Sequence, residues 1–227
     1  MKPVGQPASI AAPAGASKTL LQVQSLFFQR NQLTILQNVQ LTVDAGEVVL
    51  IRGENGSGKS TLIRLLTGLV PAQEPFEVTL DEQRFDPKDP RCQIQFQYLG
   101  HNLGLKDNLT CAENLKFYAD FLGRRDDVTV QGALNACGLD GYQYSEAGRM
   151  SAGQRKRLAL ARLLLCPARI WFLDEPYSNL DAEGITLVDR LLQRHISEDG
   201  RALMTSHGTF VPQVSNHREL EIDGWTP

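Results

Sequence analysis

The stretch "GENGSGKS", Gly53 to Ser60, has the spacing G-x-x-x-x-G-K-S. The short apolar run "GEVVLI" lies directly before it, and the helix-spaced segment "KSTLIRLLTGL" directly after. Strand, glycine-rich turn and helix in that order are the context a phosphate-cradling loop requires. Glycines at 53, 56 and 58 let the backbone turn tightly enough for its N–H groups to converge on phosphate oxygens at a helix N-terminus. The expected phosphate-binding set is Gly53, Glu54, Asn55, Gly56, Ser57, Gly58, Lys59, Ser60 and Thr61. Lys59 would reach the β- and γ-phosphates of a nucleotide, and the Ser60 hydroxyl would ligate Mg²⁺. Far along the chain, "IWFLDEP" (Ile170 to Pro176) is an apolar run ending in two acids. On a buried strand, Asp174 would emerge at the carboxyl edge of the sheet and share the metal with Ser60. Glu175, one residue on, suits polarising a water in line with the γ-phosphate.

These residues need a frame that brings them together. "TLLQVQSLFF" and "LTILQNVQLTV" alternate in the manner of strands, while "GEVVLI" reads as a strand buried on both faces. "IQFQYLG" predicts another strand. Between Thr110 and Ala147 the pattern changes to helices, with Thr110 and Glu113 forming a capping-box pair. Then follow the helix "AGQRKRLALARLLL", the strand "RIWFLD", a long helix from about Ala182, and two late strands, "RALMTS" and "RELEI". Strand and helix alternating on both sides of an insert predict a mostly parallel α/β sheet covered by helices.

The chain's 227 residues fit one large domain carrying a smaller lobe. The first 18 residues, rich in Ala, Pro, Gly and Ser, read as a flexible tail without the apolar core of a secretory signal. A formal charge of −3 shows no basic excess of the kind a nucleic-acid partner selects. Cys92, Cys111, Cys137 and Cys166 lie too far apart for a zinc or disulfide framework. No apolar run approaches the roughly 20 residues of a spanning helix, so any work at a membrane would be done through partners.

One further motif decides among phosphate-loop proteins. In "MSAGQRKR", Ser151 can cap the helix that follows and Gly153 keeps its N-terminus open to an oxyanion. Phosphate loop, "SAGQ", "FLDEP", "SNLD" and "TSH", in that order, resemble the ATP-binding subunit of an ABC transporter, from about Leu21 onward. The resemblance implies a P-loop NTPase fold with an antiparallel β subdomain and an inserted helical lobe at about 103–148. It implies ATP and Mg²⁺ as ligands. It also implies a head-to-tail dimer in which Ser151, Ala152, Gly153 and Gln154 contact the ATP held by the second copy. Asp181 would communicate across that interface, and His207 would contact the γ-phosphate. The helical lobe and the His101 loop would meet the transmembrane subunits, on the cytoplasmic face of a bacterial inner membrane.

"YLGH-x-x-G-x-K-x-x-LT-x-x-EN" places His101 where most such subunits carry a glutamine that senses metal and water. With "SAGQ" and the compact length, it resembles the ATP-binding subunits of the haem exporter of cytochrome c maturation. An ABC transporter for another small molecule and a soluble ABC ATPase are the alternatives. Arg30 stands where many members stack an aromatic ring on adenine, and Phe28 is the other candidate for that contact. Phe76 and Glu82 replace customary turn glycines. Cys166–Pro167 reads as a helix stop, and Arg155, Lys156 and Arg157 as one solvated helix face.

Overall fold

The computed structural model describes residues 20–206 and 210–222. The proposed tail therefore falls outside the described residues. At the centre lies a five-stranded parallel sheet in the order β6–β7–β8–β3–β9. Its strands are β3 (Val48–Arg52), β6 (Phe96–Leu99), β7 (Ile170–Asp174), β8 (Arg201–Thr205) and β9 (His217–Glu221). Continuous apolar runs form the inner strands because both faces are covered. Along β3, Val48 and Leu50 point into one core cluster and Val49 and Ile51 into the other. β7 repeats the division, with Trp171 and Leu173 on one side and Ile170 and Phe172 on the other.

One face carries helix α1 (Lys59–Leu66) and the antiparallel sheet β2–β1–β4–β5, made of β1 (Leu20–Arg30), β2 (Leu33–Asp44), β4 (Glu77–Leu80) and β5 (Gln83–Arg84). A single turn of helix, α2 (Pro90–Gln93), leads into β6. The opposite face carries α3 (Cys111–Leu122), α4 (Val130–Ala136), α5 (Ala152–Leu165) and α6 (Ala182–Ser197). α3 and α4 both pack on α5, so the helical lobe leans on a helix that belongs to the main sheet. Thr110 caps α3 with the capping box its sequence predicts, its hydroxyl accepting from the Glu113 N–H while Glu113 accepts from the Thr110 N–H.

The hairpin between β4 and β5 turns without glycine. Asp81 and Glu82 both take positive φ, 53° and 64°. The Asp81 carboxylate is gripped by Arg201 (2.7 Å) and by Arg169. Two cations hold the turn in a conformation that asparagine or glycine usually supplies. Arg201 is among the largest fully buried side chains, so this ion pair ties the antiparallel subdomain to the first residue of β8.

Candidate functional site

The loop from Gly53 to Gly58 leaves the carboxyl end of β3 and feeds directly into α1. Gly53 has φ 142°, and a Cβ there would stand 2.4 Å from the Ile222 carbonyl oxygen. Gly58, at φ 99°, is the helix N-cap and offers no side chain to the first-turn N–H groups. Those donors are left for an anion. Lys59 is buried, and its ammonium folds back onto the carbonyl oxygens of Gly53 (2.7 Å) and Glu54 (2.8 Å). The buried Ser57 hydroxyl has no hydrogen-bond partner among the described residues. An uncapped helix end, a lysine over the loop and an orphaned hydroxyl fit a polyphosphate.

Ser60 donates its hydroxyl to Asp174 Oδ1 at 2.7 Å, across 114 residues of chain. Two hard oxygen ligands therefore meet beside the loop, as Mg²⁺ requires. Asp174 ends β7 and is almost fully buried. Its Oδ1 also accepts from the Thr205 hydroxyl (2.8 Å), and Arg64 approaches Oδ2 at 3.7 Å.

Glu175 follows with φ 55°, a backbone state that costs a non-glycine residue on the order of 1 kcal/mol. Its peptide is held at both ends. The N–H donates to Thr205 Oγ1 (3.1 Å), while the carbonyl accepts from Lys156 Nζ (3.0 Å) and from the Ser178 hydroxyl (2.9 Å). Lys156 thus overturns the expectation of a solvated basic face. It is 3 % exposed, and burial pushes its ammonium down to about 8 against the pull of Glu175 and Asp174. Arg155 and Arg157 are also engaged, the former with the Ala147 carbonyl and Asp107, the latter with Asp181 (2.8 Å).

Ser151 caps α5, its hydroxyl accepting from the Gln154 N–H (3.2 Å) while Gln154 Oε1 accepts from the Ser151 N–H (3.0 Å). Ser151 and Ala152 are exposed and Gly153 is half-buried, so a helix N-terminus opens outward. Asp181 caps α6 through the Gly184 N–H (2.8 Å), which together with Arg157 holds its carboxyl below the usual range. His101 stands exposed in the bend after β6. Arg162, buried on α5, donates to the Tyr98 carbonyl (2.7 Å) before that bend and to the Leu103 carbonyl (3.1 Å) after it.

The phosphate loop, Ser60, Asp174 and Glu175 are therefore gathered at one edge of the sheet. The side-chain bonds of Ser151 and Gln154 stay within their own cap. Of the two adenine candidates, Phe28 is turned into the core and Arg30 is exposed at the end of β1. His207 lies outside the described residues. Sequence reasoning missed Lys156, Arg162 and Thr205; only Thr205, a hydroxyl closing the apolar run "RALMT", carries a visible signal.

A model of the ABC transporter family matches residues 36–178. The chain belongs to the ABC transporter family. Within it, the chain is 42% identical over 212 residues to the cytochrome c biogenesis ATP-binding export protein CcmA of Xanthomonas campestris pv. campestris, covering 93% of this chain and 97% of that protein. A CcmA protein of Xylella fastidiosa is 38% identical, with 86% and 87% covered. Among solved structures, a dimeric post-hydrolysis state of the cassette MJ0796 with ADP and Pi aligns at TM-score 0.71 and 24% identity, over 83% of this chain and 88% of that one. That likeness is one of fold. Cys166 is the C-cap of α5, the helix stop its sequence predicts, and burial pushes its thiol up to about 11.

Proposed function

We propose that this chain is the ATP-binding and ATP-hydrolysing subunit of an ABC transporter that energises haem export, or haem release to a chaperone, during c-type cytochrome biogenesis. The observation that carries the hydrolytic part is the meeting of Ser60 and Asp174 beside the phosphate loop, with Glu175 next in the chain. The kinship with CcmA proteins supports the haem pathway.

Lys59 and the loop N–H groups would offset charge on the β- and γ-phosphates, and Ser60 and Asp174 would hold Mg²⁺. The ion, when bound, neutralises charge that develops on the phosphate oxygens. Glu175 orients the attacking water and takes its proton, while His207 assists at the γ-phosphate. Arg30, exposed where Phe28 is buried, would stack on adenine. Two copies would face head to tail, Ser151, Ala152, Gly153 and Gln154 of each closing the site of the other. The helical lobe and the His101 loop would dock on transmembrane subunits at the cytoplasmic face of the inner membrane.

The test is a deletion strain complemented with the wild-type gene or with Glu175→Gln. Wild type should restore covalent haem in c-type cytochromes. Glu175→Gln should bind ATP normally, hydrolyse it at least 100-fold more slowly, and leave the cytochromes without haem. Normal cytochromes in the deletion strain would remove the haem assignment and leave the ATPase intact.

A further inference from the structure

We infer that Lys156 is a positioning residue for Glu175, through which the helix that closes one nucleotide site sets the base of the other. The inference rests on the ATPase reading above and deepens it. α5 begins at Ser151, whose end would face the ATP of the partner copy. Lys156 lies about 1.4 turns further on, about 7.5 Å along the same rigid axis. Its ammonium donates to the carbonyl oxygen of Glu175, the residue assigned to the attacking water of its own copy's site. One helix therefore touches both sites of the dimer.

Three observations make this contact more than packing. The Glu175 backbone sits at φ 55°, a conformation that surrounding bonds must impose. The bonds that hold it come from three directions: Thr205 at the N–H, and Ser178 and Lys156 at the carbonyl. Of these, only Lys156 comes from the helix with the exposed phosphate-facing end. Its neighbour Arg157 donates to Asp181, so α5 also grips the far end of the segment running from 175 to 181. A small shift of α5 when the partner's ATP engages its N-terminus would move that segment, and the Glu175 carboxylate with it. Burying a lysine here is otherwise expensive, because the ammonium loses its hydration. An uncharged side chain would fill the space at lower cost.

The experiment compares Lys156→Met, Lys156→Gln and Lys156→Arg in the full chain assembled with its membrane partners, beside wild type and Glu175→Gln. Lys156→Met should lower kcat roughly 10- to 100-fold while the KM for ATP stays within about twofold. Lys156→Arg, which keeps a cationic donor, should recover most of the rate. In a Glu175→Gln background Lys156→Met should cost little more, because the group it positions is already gone. A kcat equal to wild type, a loss shared by KM, or a full multiplicative loss on top of Glu175→Gln would each overturn the inference. Lys156→Gln, shorter and uncharged, is read by the same criteria, so the test stands if the Met variant does not fold. A wild-type complex that hydrolyses no ATP would overturn the ATPase reading itself; an active one indifferent to Lys156 would overturn only this proposal.

Discussion

At the scale of single residues, the buried cations and imidazole carry more of the design than their number suggests. His195 is stacked flat on Trp171, ring centres 3.9 Å apart, and donates from Nε2 to the Arg201 carbonyl at 2.9 Å. Burial, above all, lowers its pKa from 6.5 to about 4. The folded chain then binds this proton less readily than the unfolded chain across that window. Its contribution is complete above 6.5 and is lost as pH falls toward 4, on the order of 3 kcal/mol in all. His195→Gln keeps a donor and cannot titrate. Its denaturant midpoint should fall less than that of wild type between about pH 7 and about pH 5; equal slopes would remove His195 as an acid-sensitive group. Residues of this kind mark where the sequence stops being legible. Lys59, Ser60, Asp174 and Glu175 are readable because a backbone motif fixes their neighbours. Lys156 is not, because α5 is buried nearly all round from Lys156 to Leu165. A helix without a clear solvent face has no periodicity to betray which of its cations is inside.

Among the elements, α5 is the one that joins the parts. Its N-terminal end opens outward, and Lys156, Arg157 and Arg162 reach Glu175, Asp181 and the two sides of the His101 bend. The strands and helices themselves were legible, since apolar runs, caps and the change from alternating to helical spacing each have a local cause. The β1 face was less so. Irregular register between Val23 and Gln29 breaks the two-residue alternation and turns Phe28 into the core, while Arg30 lies exposed at the strand's end. The β4–β5 turn was also hidden, because its shape depends on arginines about 90 and 120 residues away. Asp81→Ala should therefore destabilise the chain by about 3–5 kcal/mol, leaving the Arg201 guanidinium buried without its carboxylate. Adding Arg201→Met to Asp81→Ala should recover much of that loss, since no charge is then buried alone. Thermal or denaturant unfolding of the single and double variants reads this, and an additive loss would refute it.

For the whole molecule, the question is whether one copy contains a complete site. Ser60, Asp174 and Glu175 converge, yet the helix end at Ser151 opens outward with its bonds closed on itself. The proposed head-to-tail dimer would supply the missing half, and subunit mixing can show it. Lys59→Ala disables the phosphate loop of the copy that carries it. Gly153→Asp places a carboxylate where the partner's phosphate would bind. An acid in the first turn suits the helix dipole, so α5 should still form. The added Cβ would meet the Asn179 carbonyl oxygen at 3.3 Å, a contact that a few tenths of an ångström relieves. Each variant alone carries one defect in both sites and should be inactive. In a mixed dimer, both defects fall in the same site, and the other site is built wholly from intact parts. Equal mixing should then restore roughly a quarter of the wild-type sites, if copies pair at random and sites work independently. ATPase activity and covalent haem in c-type cytochromes, measured on co-expressed variants, should both reappear. Persistent inactivity of the mixture beside active wild type would mean that the sites cannot work singly or that Ser151–Gln154 close no site in the partner. A Gly153→Asp chain that is fully active alone would exclude the composite site outright.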